Sequence, residues 1–234
     1  MSQAMFYGAG FPYHKIKELP GKLIVLEGTD GVGRSTQINM LREWLEKQGM
    51  AVSDTGLRRS TLTQAGLDAA KQGHTLSRTT MSLFYATDFA DRLENQILPA
   101  MKAGFIVLSD RYFYSIIARD VVRGADPVWA RKNYGFALRP NVIFYLKADV
   151  QTLVTRMVHG RGFDYWESGM DIRCADNLYE SFLVYQAQLI QLFEELAEEY
   201  GFVTIDAAQS PTAVFTQIQE RLKVLLDIDQ HPVS

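Results

Sequence analysis

Cysteine is nearly absent from this 234-residue chain: Cys174 is its single example. No intrachain disulfide can form, which excludes the stapled scaffolds of small secreted proteins and points to a reducing compartment. Cys174 itself reads as an ordinary small residue of core or surface. An excess of charge is also missing. Lys and Arg number 24 against 27 Asp and Glu, for a formal net charge of −3. A nucleic-acid-binding surface announces itself by a basic excess, so nucleic acid is not an expected partner. A phosphorylated ligand would have to be met by locally clustered arginines. No apolar run reaches the ~18 residues of a membrane span, and the opening residues lack a basic start followed by a long apolar stretch. No membrane partner and a cytoplasmic location are the expectations.

What is present is apolar mass. Hydrophobic residues make up 47% of the chain, enough for one large α/β domain with a full core. Residues 1–20, rich in Gly, Pro and aromatics, read as an N-terminal arm, and 21–230 as a single domain. Short apolar runs alternate with helical patterns. Strands are expected at 22–28, 50–56, 105–110, 141–149 and 202–206. Helices are expected after the first strand, with Ile38, Leu41, Trp44 and Leu45 at helical spacing and Gly49 at the end, and then over 80–104, from Gln151, over 177–201 and over about 211–226. This alternation argues for a five-stranded parallel sheet with helices on both faces. The uninterrupted apolar strands LIVL, FIVL and VIFYL suit strands buried on both faces.

Chemistry first surfaces in KLIVLEGTDGVGRSTQ, residues 22–37. Its frame is that of a phosphate-binding loop, G-x-x-x-x-G-K-[ST], with Gly28, Gly33 and Ser35 in place and Arg34 where the pattern has lysine. The context is also that of such a loop, a strand before and a helix after. The cradle would run through Gly28, Thr29, Asp30, Gly31, Val32, Gly33, Arg34, Ser35 and Thr36. Its glycines let backbone N–H groups turn toward phosphate oxygens at the positive end of a helix. Ser35 stands where a hydroxyl ligates magnesium. A dinucleotide fingerprint fails, because starting from Gly31 and Gly33 the third glycine position is Thr36. Arg34 keeps lysine's charge but spreads it over a planar fork, so binding should survive the exchange more easily than rate.

Three further segments carry the same chemistry. IVLSDRYFYS (106–115) ends a strand in Asp110, where this class of fold presents a carboxylate beside magnesium, and Arg111 follows at once. GLRRSTL (56–62) puts Arg58 and Arg59 after the second strand, at the carboxyl edge where α/β folds bind ligands. TRMVHGRGFDYWESGMD (155–171) breaks a helical pattern with Gly160, Arg161 and Gly162 and reads as a lid, about 156–171, bringing arginines to a phosphate. His159, in the same segment, reads as a polar surface residue.

Together these residues resemble the thymidylate kinase family of nucleoside monophosphate kinases over about 21–225, with the pieces in family order. The resemblance implies a P-loop fold with a short lid and phosphate transfer from ATP, with Mg2+, to a deoxynucleoside monophosphate, in a homodimer. It places Asp30 at the acceptor's sugar, and makes Arg59 and Arg111 phosphate clamps. LFYATDFADR resembles the acceptor-base helix, with Phe84 as its aromatic. SDRYFYS is similar to the family's D-R-[YH] signature, which puts Asp110 with Ser35 at the metal. Arg34 and Arg161 would act on transferring charge, with Arg156 a second lid candidate. Transfer would proceed by positioning and charge neutralisation, with no covalent intermediate.

The resemblance breaks in three places. Arg34 is one. In the acceptor helix the family's Asp-Arg falls on Asp88-Phe89, and Arg92, one turn later on nearly the same face, stands as a substitute. After the D-R-Y signature, Ala118-Arg119-Asp120 replaces Ala-Tyr-Gln, putting Arg119 and Asp120 at the acceptor base. An ionised Asp only accepts hydrogen bonds, and thymine offers one N–H, so polar changes here should move specificity. dTMP to dTDP is the leading expectation. The alternatives are a nucleotide-binding protein with weak or no kinase activity, and a kinase of the same fold acting on another acceptor or donor.

Overall fold

The computed structural model describes residues 5–13, 16, 18–73 and 76–228. Parts of the expected arm (residues 1–4, 14, 15 and 17) and the domain's last two positions, 229 and 230, lie outside the described residues. Five strands form one sheet in the order β2-β3-β1-β4-β5. They are β1 (Lys22–Glu27), β2 (Val52–Gly56), β3 (Ile106–Asp110), β4 (Val142–Lys147) and β5 (Val203–Asp206). The three inner strands are buried almost throughout, as unbroken apolar runs require when a sheet is covered on both faces. The edge strands β2 and β5 are more open, and β5 is also the shortest of the five.

The chain forms two compact units: Met1–Val25 with Ala51–Val142, and Leu26–Met50 with Ile143–Ser234. In the first, β2 runs parallel to β3 with Gly56 opposite Asp110. That register sets the turn after β2 beside the end of β3. The helices are α2 (Gln64–Gly73), α3 (Arg78–Arg92), α4 (Leu98–Lys102), α5 (Phe113–Val122) and α6 (Pro127–Lys132). The one long helix expected over 80–104 is instead α3 and α4 joined by a π-helical turn, Leu93–Ile97. Pro99 has no N–H to return to the preceding turn, and the widened turn takes up the mismatch before it.

The arm packs within this same unit. Phe6 bridges Leu138 in antiparallel fashion, the Tyr7 and Tyr114 hydroxyls are 2.7 Å apart, and Arg139 lies 4.2 Å from the Tyr7 ring centroid. Beneath it Phe89, Tyr112, Phe113 and Tyr134 are fully or almost fully buried, with ring centroids 4.8 to 5.8 Å apart.

In the second unit, β4 pairs in parallel with β5, Lys147 opposite Asp206. Here α1 (Arg34–Lys47) buries Ile38, Leu41 and Leu45 and ends at Gly49, whose φ of 76° the left-handed turn requires. Trp44 stays half-buried and meets Phe215 edge-on. Three more helices follow: α7 (Val150–His159), α8 (Leu178–Tyr200) and α9 (Pro211–Leu226). Asp149 caps α7 through the Thr152 N–H, and Asn177 caps α8 through the Glu180 N–H. Among the described residues no helix is long and apolar enough to cross a membrane.

Candidate active site

The phosphate loop leaves β1 at Glu27 and enters α1 at Arg34. Gly28, Gly31 and Gly33 take φ of 143°, 77° and 102°, conformations that side-chain-bearing residues avoid. Two of them also sit too tight for a side chain. A Cβ on Gly28 would meet the Leu146 carbonyl at 2.6 Å, and one on Gly31 the Met157 sulfur at 3.0 Å. Gly33 has nothing within 4 Å on that side. Thr29 and Asp30 are buried, while Ser35 and Thr36 stand exposed at the first turn of α1. That turn carries no acidic side chain of its own, so it adds no negative charge to the positive end of the helix.

Arg34 curls back over the loop that precedes it. Its Nη1 donates to the Gly28 carbonyl at 2.7 Å and to the Thr29 carbonyl. The lid arginines divide. Arg156, on α7, donates from Nη1 to the Val32 carbonyl at 2.9 Å and from Nη2 to the Ala207 carbonyl at 2.6 Å. Arg161 is exposed and donates to Glu167 Oε2 at 2.5 Å. Partial burial works to lower the Arg161 pKa. The hydrogen bond and charge of Glu167, with Asp30 and Asp164 behind it, more than offset this, and the pKa rises. The lid is tied to α8, where Gln186 donates to the Glu167 carbonyl at 2.7 Å and Ser181 to the Ser168 carbonyl at 2.6 Å. His159 is exposed, its Nδ1 near the Thr155 carbonyl.

The other unit holds the residues expected around an acceptor, Asp30 excepted. Arg111 follows Asp110 at φ 73° and is buried, its Nη1 donating to Ser115 at 2.8 Å. A left-handed arginine is strained, and strain of this kind concentrates at functional sites. The neighbouring Ser109 hydroxyl donates to the Arg111 carbonyl at 2.6 Å. Across the β2–β3 register, Arg59 is exposed and lies back against Gly56. Arg58 pairs with Asp68.

Asp88 is fully buried and organises the turn after β2. Its Oδ1 accepts from the Ser60 N–H and the Thr63 hydroxyl, and its Oδ2 from the Arg58 N–H and from Arg92 Nε. Arg92, also fully buried, reaches the Thr55 hydroxyl with Nη1 at 3.4 Å, while its Nη2 has no hydrogen-bond partner among the described residues. Phe89 belongs to the aromatic core, and Phe84 lies against Gly66 of α2.

Asp120 accepts from the Ser82 hydroxyl. Burial pushes its carboxyl up to about 6, against the opposing pull of Ser82, Arg123 and Arg119. Four residues the motifs did not mark complete this group. They are Ser82 itself, Lys71, Tyr85 and Tyr134. Burial lowers the Lys71 pKa, and Arg119 and Arg58 add to that while Tyr85 opposes it. Burial raises the Tyr134 hydroxyl well above its usual value, with Asp120 and Asp88 adding to the effect. That hydroxyl has no hydrogen-bond partner among the described residues. The signal that marks two of them is the spacing of Ser82, Tyr85, Asp88, Phe89 and Arg92 at three- and four-residue steps on α3.

Comparison with known sequences gives the family. The thymidylate kinase family profile matches residues 26–218. A probable thymidylate kinase 2 of Saccharolobus solfataricus is 37% identical over 209 residues, which is 88% of this chain and 98% of that protein. A thymidylate kinase of Nostoc punctiforme is 30% identical over 88% of this chain and 97% of its own length. A probable thymidylate kinase of Thermococcus kodakarensis is 38% identical over 57% and 70%. With this glycine loop opening α1 and this breadth of match, the chain belongs to the thymidylate kinase family.

Proposed function

We propose that the protein transfers the γ-phosphoryl group of ATP to dTMP, giving dTDP and ADP. The observation that carries this is the Gly28–Ser35 loop, whose three left-handed glycines open α1 in a chain of this family. The kinase domain is taken as 21–230, with the lid near 156–171. In this reading the loop's N–H groups and Arg34 hold the donor phosphates. Arg161 leaves Glu167 to meet charge developing on the transferred group, Arg59 and Arg111 clamp phosphate, and Asp30 meets the acceptor's sugar.

Ser35 and Asp110 fit magnesium by chemistry: both are hard oxygen donors, one exposed and one half-buried. Bound with ATP, the ion would neutralise phosphate charge. Phe84, Asp88, Arg92, Arg119 and Asp120 form the acceptor-base group, where Arg92 Nη2 and the Tyr134 hydroxyl are buried donors suited to the keto oxygens of thymine. We extend the proposal to a cytoplasmic homodimer, in line with the resemblance to the family and the lone cysteine. An ADP-release assay over dTMP, dUMP, dCMP, dGMP, dAMP and the ribonucleotides, with several donors, tests it. Highest kcat/KM is expected for ATP with dTMP, and absence of turnover with every acceptor overturns it.

One observation favours a second reading, a weakly active nucleotide binder: Arg34 rests on the loop's own carbonyls. Arg34→Lys separates the two. A lower rate fits a site tuned around arginine, and a large gain fits a decayed one.

A further inference from the structure

We infer that Arg156 is a positioning residue that aims the phosphate loop from outside and ties it to the base of the lid, so that donor binding and lid placement act together. The inference rests on the reading of Gly28–Ser35 as a donor-phosphate site.

Arg156 spends its two terminal nitrogens on backbone carbonyls, Val32 in the loop and Ala207 just after β5, at 2.9 and 2.6 Å. A trans peptide plane carries its C=O and the next N–H in opposite directions. Holding the Val32 carbonyl toward Arg156 therefore points the Gly33 N–H away from it, and a loop that cradles phosphate must present N–H groups and hide carbonyls. Anchoring the same guanidinium on Ala207 fixes it further, because the Ala207 N–H is itself bonded to the Lys147 carbonyl of β4 at 2.8 Å. A planar fork suits this bridge of two carbonyls, and a compact ammonium on a flexible stem does not.

The next residue extends the connection. Met157 is buried, and its sulfur stands where a Cβ on Gly31 would come within 3.0 Å. The Met157 carbonyl accepts from both the Gly160 and the Gly162 N–H groups, at 3.2 and 2.9 Å. Arg161 lies between those glycines. One helical turn thus grips the loop with the Arg156 and Met157 side chains and holds the start of the lid with its backbone. A movement of the lid that displaces this turn would pull on the Val32 carbonyl, and a loop closed on phosphate would hold the turn in place.

Three variants test this: Arg156→Met, Arg156→Gln and Arg156→Lys. The readouts are kcat, KM for ATP and for dTMP, ADP affinity by calorimetry, and thermal melting. Losing bonds from a charged donor should raise the ATP KM and ADP Kd by about tenfold to a hundredfold and lower kcat, while the dTMP KM stays within about twofold. Arg156→Lys should regain only part of the loss, and added methylguanidine should partly rescue Arg156→Met. Unchanged ADP affinity in Arg156→Met overturns the inference. Full recovery in Arg156→Lys also overturns it, because a point charge facing the ligand would then suffice. Equal losses toward both substrates with a collapsed melting curve reduce Arg156 to a structural residue and overturn it as well. If the unaltered protein turns over no acceptor, the proposed function falls, while ADP calorimetry still decides the role of Arg156.

Discussion

Arg92 Nε donates to Asp88 Oδ2 at 2.8 Å, one turn apart on α3, and neither side chain is exposed to solvent. The pair is unequal. Asp88 takes three other donors, whereas Arg92 has Asp88 as its counter-charge and one long contact to Thr55. Removing the carboxylate leaves a buried cation uncompensated, so Asp88→Asn should cost about 3–5 kcal/mol. Arg92→Met leaves a carboxylate that still has three donors and should cost about 1–3 kcal/mol. Urea unfolding of both variants checks the order, and equal losses would contradict this asymmetry.

Asp120 predicts a pH dependence of the opposite sense to that of most carboxylates. Its folded pKa, about 6, lies above its ordinary 3.8, so over that window the folded state keeps a proton that the unfolded chain gives up. The stability this contributes is full below the unfolded value and is lost as pH rises through the folded one. Asp120→Asn should stabilise the protein by about 1–2 kcal/mol near pH 7.5, water at this half-buried site trimming the figure. Near pH 4 the gain should vanish. Urea midpoints at the two pH values test the sign.

Arg161 and Glu167 form a pair whose arginine is open to solvent and whose carboxylate is mostly covered, and with one partner exposed it contributes about 0–1 kcal/mol to stability. Arg161→Ala should leave melting nearly unchanged yet lower kcat by about a hundredfold or more, as expected for a cation serving the transition state. Glu167→Gln should keep the arginine available and cost far less in rate. Steady-state kinetics and melting curves on both variants compare the two effects directly.

The loop glycines should differ in tolerance. Gly28→Ala combines a φ of 143° with a 2.6 Å collision against the Leu146 carbonyl. It should abolish ADP binding and cost about 2 kcal/mol or more. Gly33→Ala meets nothing within 4 Å and keeps only the left-handed penalty, about 1 kcal/mol. Calorimetric titration with ADP should retain measurable binding for the second variant alone.

Much of this protein was legible before any fold was known. The inner strands declare themselves by uninterrupted apolar runs, α1 by its period, and the loop by glycines that need φ values other residues avoid. The expected helix over 80–104 hid a π turn, because periodicity reports which faces are apolar and says little about a hydrogen-bond register shifted ahead of Pro99. Helix α5 escaped the period altogether: residues 113–118 are all buried, so no polar face interrupts the pattern. Tyr134 carried no mark either, since a tyrosine between an asparagine and a glycine looks like any loop residue.

The sequence by itself determined the alternation of strands and helices and the glycine loop that opens α1, because these follow from periodicity and backbone sterics along the chain, and its resemblance to the family supplied the arginines and carboxylates proposed to serve that loop. Tertiary structure alone decided how those charges are used. It set Arg156 on two backbone carbonyls, Arg161 on a carboxylate, Arg34 on its own loop, and Arg92 on Asp88. Four arginines that look alike in sequence differ here because Arg156 takes its partners from segments far along the chain, whereas Arg34, Arg92 and Arg161 fold onto near neighbours at depths of burial that no local pattern records.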